Sequence, residues 1–211
     1  MKKYHKIQTV FKRNPETKFK TLLHGDYSLP EFEYLKNNKW VFTEKVDGTN
    51  IRIMFDGEKI TYGGKTDNAQ IPTFLFMKLQ DVFEKKKNKL KEKFPEGVCF
   101  YGEGYGAKIQ KGGGNYIKDD VSFVMFDIRI GNVWLKRDAI VEIAYEFDLE
   151  VVPIVSSGTL DDMIEICKKG FKSQWGDFNA EGLVARPEIE LINRMGHRII
   201  TKLKCKDFHN E

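Results

Sequence analysis

The sequence predicts an α+β protein with antiparallel sheets, and three observations carry that prediction. Strand-like runs come as hairpin partners, with "NIRIMF" and "KITYGG" flanking Asp56-Gly57, the strongest short hairpin signal available. Segments with helical periodicity are few, and they do not alternate with strands in the regular pattern of parallel βαβ units. The 211 residues are 41% hydrophobic and 13% aromatic, a composition suited to a folded core.

Taken in order, residues 1–38 are polar and irregular, and "LHGDYSLPEF" reads as turns. Strand character begins at Trp40. "TFLFMKLQDVFEKKKNKLKEKF" (Thr73–Phe94) reads as one helix. Leu75, Leu79, Val82, Phe83 and Leu90 fall on or near one face, and Pro95 supplies the stop. Its run "EKKKNKLKEK" reads as a solvated face. "GVCFYGEGYG" and "SFVMFDIRI" are strands, separated by "KIQKGGGNYIKDD", which reads as an exposed flexible loop. Two more helices are expected at about Lys136–Phe147 and Thr159–Lys169. The second opens on Thr159 and Asp162 in a capping-box arrangement. "AEGLVAR" and "HRIITKLKCK" close the chain as strands. With no repeat and no Ser/Pro-rich linker, residues 1–211 read as a single domain.

The charge balance, 35 Lys+Arg against 31 Asp+Glu, leaves a net +4. That is compatible with a nucleic-acid partner without demanding one. Three cysteines, Cys99, Cys167 and Cys205, are odd in number and lack metal-binding spacing, so they read as reduced thiols of a cytoplasmic protein. No run approaches the length of a membrane span, and "MKKYHKIQTVFKRN" has no apolar signal region.

The residue pattern richest in chemistry is "EKVDGTN", Glu44–Asn50. Lys45, Asp47 and Gly48 form a K-x-D-G run at a strand end, which alone fits a turn with a solvated lysine as well as it fits a nucleophile. Four further segments follow: "FYGEG" with Glu103, "VMFDI" with Phe126, "AEGLVAR" with Glu181, and "TKLKCKDF" with Lys202 and Lys204. Several of their acidic or basic residues sit at predicted strand ends, where side chains can converge on a groove between sheets. Lysines at alternate strand positions share a face. Lys206 continues that alternation, which leaves the pair open between Lys202/Lys204 and Lys204/Lys206.

These five segments, in this order, resemble the motifs of the covalent nucleotidyltransferases, a superfamily of ATP-dependent DNA and RNA ligases and mRNA capping enzymes. The resemblance runs over about residues 40–208. At the fifth position after the lysine, DNA ligases and capping enzymes generally carry arginine, whereas this chain has Asn50. "EKVDGTN" is similar to the E-K-x-x-G-x-N of the RNA ligase 2 branch. Lys65, in "TYGGKTDNAQIP", stands where that branch usually has arginine, which keeps the charge but not the planar fork.

The resemblance implies an antiparallel α+β fold with helices flanking a nucleotide-binding groove, of the ATP-grasp-like adenylyltransferase kind. It implies an ATP-dependent RNA ligase that uses Mg2+ or Mn2+ and joins RNA 5′-phosphate and 3′-hydroxyl ends. Lys45 would be the nucleophile that carries AMP. Glu44, Asp47, Asn50, Lys65, Glu103, Phe126, Lys202 and Lys204 would bind the nucleotide, Phe126 by stacking on the base, and Glu181 would serve the metal. A free lysine has a pKa near 10.4, so only about one in two thousand is neutral at pH 7. A nucleophilic lysine therefore needs neighbouring cations or desolvation. The alternatives are a DNA ligase core, a GTP-using capping enzyme, or a nucleotide- or RNA-binding module without catalysis. The chain is expected to lack the C-terminal OB-fold or helical domain with which ligases grip polynucleotides.

Overall fold

Residues 2–208 are described by a computed structural model. The first third of the chain contains β1 (Gln8–Thr9), β2 (Phe11–Arg13), β3 (Leu22–Tyr27), α1 (Pro30–Tyr34), β4 (Trp40–Glu44), β5 (Thr49–Phe55) and β6 (Ile60–Gly63). Then come α2 (Thr73–Glu84), α3 (Lys87–Lys93), β7 (Val98–Gly106), α4 (Gly113–Tyr116), β8 (Val121–Ile130) and β9 (Val133–Trp134). The remainder is α5 (Arg137–Glu146), β10 (Glu150–Val151), β11 (Ile154–Gly158), α6 (Leu160–Lys169), β12 (Gly182–Pro187) and β13 (Thr201–Lys204). The α+β expectation holds, and all but two of the strand pairings are antiparallel.

The chain divides into two compact units. One comprises the N-terminal residues through His5 together with Asp47–Val152, and the other comprises Lys6–Val46 and the chain from Pro153 onward.

In the first unit the strand order is β10-β8-β7-β5-β6, with β9 paired to β8. The β5–β6 hairpin forms where the sequence places it. The Asp56 carboxylate accepts from the amides of Glu58 at 2.9 Å and Lys59 at 2.7 Å, and Gly57 takes φ +101°, a value that favours glycine. One face of the sheet carries Ile51, Ile53, Phe55, Phe100, Phe123 and Met125. Against them pack Leu75, Leu79 and Phe83 of α2, Leu90 of α3, and Ile140 and Ala144 of α5. The helix expected over Thr73–Phe94 is broken in two. The Lys86 amide bonds to Phe83 O at 3.0 Å, one residue short of an α-helical bond, and the next segment restarts with Leu90 N–H to Lys86 O at 2.8 Å. Lys89 and Lys93 of α3 reach Glu146 at the end of α5.

In the second unit the order is β1-β13-β12-β4-β11, with β2 and β3 as a separate pair. Trp40 and Phe42 of β4, Leu183 and Ala185 of β12, and Leu203 of β13 share a core with Leu160, Met163, Ile164 and Cys167 of α6. The capping box of α6 is formed as expected. Thr159 Oγ1 accepts from the Asp162 amide at 3.2 Å, and the Thr159 amide donates to Asp162 Oδ2 at 2.8 Å.

Two expectations need correction. Residues 1–38 are not irregular throughout, because short β1 pairs in parallel with β13, Gln8 opposite Thr201, and Leu22–Tyr27 is a strand. Strands of two or three residues draw on distant partners for their stability, so local pattern does not reveal them. The glycine-rich segment after β7 is not a free loop either. It holds α4, and Gly113 within it is buried.

Candidate active site

Three strand ends of the second unit meet at Glu181-Gly182. The amide of Lys45, the residue just past β4, donates to Gly182 O at 2.9 Å, and the Cys205 amide, just past β13, donates to Glu181 O at 2.9 Å. Consecutive carbonyls thus tie β4 and β13 to the start of β12. Glycine is required here by crowding, since a Cβ at position 182 would lie 2.0 Å from Leu203 O. The ladder places Leu183 opposite Glu44 and Gly182 opposite Lys204.

This backbone junction brings the side chains together. Lys45 Nζ contacts Glu181 Oε2, and Lys204 Nζ contacts Glu181 Oε1 at 2.7 Å. The three side chains are 21%, 11% and 26% exposed for Lys45, Glu181 and Lys204, so the cluster is shielded yet open to a ligand. Lys202 is half-buried two residues before Lys204 on β13. The strand ends at Lys204, and Cys205–Asp207 winds into a 3-10 turn that leaves Lys206 exposed. Lys206 therefore does not continue the strand face, and the alternating pair is Lys202/Lys204. Arg13 Nη2 braces this turn, donating to both Asp207 carboxylate oxygens at 3.1 and 3.0 Å.

Glu44 faces the core side of β4 and is 1% exposed. Its carboxylate accepts from Ser173 Oγ at 2.6 Å and from the Gln174 amide at 2.8 Å, while its own amide donates to Pro153 O at 3.1 Å. Burial pushes the Glu44 carboxyl above its ordinary value, and the two hydrogen bonds offset part of the rise.

In the first unit, Gly48 explains the last letter of K-x-D-G. A Cβ there would lie 2.3 Å from Gly104 O and 2.7 Å from Glu103 Cγ. Asn50 lies directly opposite Glu103 in the β5–β7 ladder, and its Oδ1 is buried without a hydrogen-bond partner. A buried acceptor left unmatched costs about 1–3 kcal/mol, so a donor that fills it is welcome. The Asp47 amide donates to Tyr116 Oη at 3.1 Å.

Phe126 sits at a bulge, because Tyr101 pairs with Asp127 and Gly102 with Met125, so the β7–β8 register skips Phe126. The bulge shifts the alternation. Val121, Phe123 and Met125 face the core before it and Ile128 after it, while Phe126, next after Met125, lies on the opposite face and is half-buried. The Tyr4 ring packs edge-on against it at 5.0 Å. Lys65 is exposed on the loop after β6. Arg52, 1% exposed, secures that loop through Gly64 O at 2.7 Å and Asp67 Oδ1 at 3.1 Å.

A family model described as RNA ligase matches residues 38–204, most of the chain. The chain belongs to the RNA ligase family. Its fold is similar to solved structures of Naegleria gruberi RNA ligase. The structure with pyrophosphate (PPi) superposes with a TM-score of 0.67 at 17% identity, over 97% of this chain and 56% of that one. A variant with AMP and Mn gives 0.67 at 18% identity over the same shares. Another, with ATP and Mn, gives 0.63 at 17% identity, over 83% of this chain and 52% of that one. The chain thus spans little more than half the length of these solved relatives. No curated protein matches it at significant similarity.

For this member of the RNA ligase family, sequence reasoning missed Ser173, Gln174, Tyr116 and Arg52. Ser173 and Gln174 lie 129 and 130 residues from Glu44 in an irregular stretch, where no spacing rule could find them. Arg52 could have been noticed as a charged residue inside the apolar run "NIRIMF". Among the described residues, no group of three or more His, Cys, Asp or Glu side chains is placed to hold a metal ion, and no helix is long and apolar enough to cross a membrane.

Proposed function

We propose that residues 1–211 act as one adenylylating domain of an ATP-dependent RNA ligase that seals RNA 5′-phosphate and 3′-hydroxyl ends. The observation that carries this reading is the Glu181 carboxylate held between the amines of Lys45 and Lys204. Lys45 attacks the α-phosphorus of ATP, the N–P bond forms, and the P–O bond to pyrophosphate breaks. The ammonium of Lys45 gives up its proton to solvent before attack, and its contact with Glu181 holds the amine in place. Lys204, with Lys202 on the same strand, meets the charge that accumulates on the phosphates in the transition state. The AMP then passes to the RNA 5′-phosphate, and attack by the 3′-hydroxyl releases it.

Magnesium takes one or two carboxylates and completes its shell with waters and substrate phosphates. One carboxylate beside two phosphate-directed lysines suits that habit better than a cage of protein ligands, so Glu181 would hold the ion. Bound there, Mg2+ or Mn2+ would supply Lewis-acid neutralisation of phosphate charge. The unmatched Asn50 Oδ1 suits a hydroxyl donor such as that of a ribose, and Glu103, its ladder neighbour, is the second ribose candidate. The half-exposed Phe126 is available for base stacking. Glu44, with carboxylate and amide both engaged, supports the strand that ends in Lys45. Lys65 and Asp47 remain assigned to the nucleotide through the motif resemblance. The solved relatives, RNA ligases with ATP, AMP and Mn, support the same reading.

The test is mass spectrometry after incubation with ATP and magnesium. One added AMP is expected, lost in Lys45→Ala, and an adduct mapped to another lysine overturns the assignment. The adenylate is then offered 5′-phosphorylated RNA or DNA in matched nicks. Equal sealing of an all-DNA nick overturns the RNA assignment.

A further inference from the structure

The Asp47-Gly48 turn is gripped by a single segment of the same unit. The Asp47 amide donates to Tyr116 Oη at 3.1 Å, and Gln110 Nε2 donates to Gly48 O at 3.0 Å. Both side chains come from the glycine-rich stretch between β7 and β8, which is anchored rather than loose. A Cβ at Gly113 would lie 1.9 Å from Gly106 O, so only glycine lets the stretch pack so closely on the end of β7. The Tyr116 ring stands edge-on to Tyr105 at 5.7 Å and 76°. Tyr105 is 1% exposed, and its hydroxyl donates to Glu150 Oε2 at 2.5 Å. Tyr116 is thus set in place by packing before its oxygen meets the Asp47 amide.

We propose that Tyr116 is a positioning residue for the nucleophile motif, its hydroxyl oxygen fixing the peptide two residues after Lys45. The inference rests on the reading of Lys45 as nucleophile. An acceptor at a fixed point removes the freedom of the Asp47 amide to rotate. A nucleophile whose following turn is held loses less freedom on reaching attack geometry, so the effect belongs to the chemical step rather than to ATP binding.

The decisive variant is Tyr116→Phe, which keeps the ring against Tyr105 and deletes the hydroxyl that accepts from Asp47. Two measurements are made on the full chain: single-turnover lysyl-AMP formation over a range of ATP concentrations, and hydrogen exchange at the Asp47 amide. The expected result is a maximal rate about fivefold lower, the equivalent of one net hydrogen bond, with an unchanged half-saturating ATP concentration and faster Asp47 exchange. Exchange equal to wild type overturns the proposal even where the rate falls. A weaker ATP dependence with an unchanged maximal rate also overturns it, since Tyr116 would then serve binding. If the wild-type chain forms no lysyl-AMP, the nucleophile reading fails by itself, and the exchange measurement still decides whether Tyr116 holds the turn. Should Tyr116→Phe fail to fold, hydrogen exchange of the wild-type chain decides. Protection of the Asp47 amide supports the grip, and exchange at the rate of an unbonded amide overturns it.

Discussion

Replacing Glu181 with glutamine tests the centre of the cluster without reference to any ligand. The carboxylate accepts from two ammonium groups, and the substitution leaves Lys45 and Lys204 facing each other across a neutral amide. Exposed ion pairs contribute about 0.2–1 kcal/mol each, whereas breaking a buried pair costs about 3–5 kcal/mol. Exposures of 21%, 11% and 26% for Lys45, Glu181 and Lys204 put this cluster between those limits, so roughly 2 kcal/mol is expected for the two contacts together. In a chain of this length that corresponds to a drop in Tm of roughly 4–8 °C. The assay is thermal unfolding followed by circular dichroism at low and high salt, because screening weakens the penalty where solvent reaches the charges. Adding Lys204→Met to Glu181→Gln removes the repulsion and should recover about half of the loss, a coupling of order 1 kcal/mol. A Glu181→Gln melt identical to wild type, or strictly additive effects in the double variant, would show that Glu181 is not the shared counter-ion.

Glu44 supplies a pH prediction. Its carboxyl is raised by burial above the ordinary 4.5, so the folded state holds that proton more tightly than the unfolded state. Stability should therefore fall as pH rises from about 4.5 through the raised value. In Glu44→Gln, whose amide can still bond Ser173 and Gln174, the fall should flatten, and an unchanged slope of Tm against pH between 4 and 8 refutes this. Phe126→Leu should weaken half-saturating ATP by roughly two- to tenfold, the equivalent of an aromatic stacking term of about 0.5–1.5 kcal/mol, with a folded circular dichroism spectrum. An unfolded variant would assign the ring to structure alone. Gly182→Ala forces a methyl to within 2.0 Å of Leu203 O, so β12 and β13 must part. It should abolish lysyl-AMP formation and lower Tm by several degrees, and wild-type behaviour in both respects would refute the crowding argument.

Much of the site was legible because its chemistry sits in short local runs. Lys45, Glu181 and Lys204 meet in one ion cluster, as motif order at strand ends suggested. The choice between Lys202/Lys204 and Lys204/Lys206 was not legible. It depends on where β13 gives way to a 3-10 turn, and that turn is held by Arg13, 194 residues away from Asp207. Ile128 shows a second limit. Alternation carried on from Met125 would turn it outward, but the bulge in β8 turns it into the core. The glycine-rich stretch misled for a different reason. Glycines often mark freedom, but Gly113 is there because Gly106 O leaves no room for a side chain.

The junction at Glu181-Gly182 also has a consequence during synthesis. β4 finds its neighbour β12 only after about 140 further residues have been made, as the pairing of Glu44 with Leu183 requires. At about 5–20 residues per second, the strand "WVFTE" therefore waits roughly seven to thirty seconds after leaving the ribosome's active centre. Its edge toward β12 lacks its final partner for that time, while the edge toward β11 waits only for Ile154–Gly158. Such an edge invites pairing with other chains. The first unit, whose strands Thr49–Phe55 and Ile60–Gly63 are neighbours in sequence as well as in the sheet, needs no comparable delay. Slower translation should thus raise the share of this protein lost to aggregation, through the second unit rather than the first.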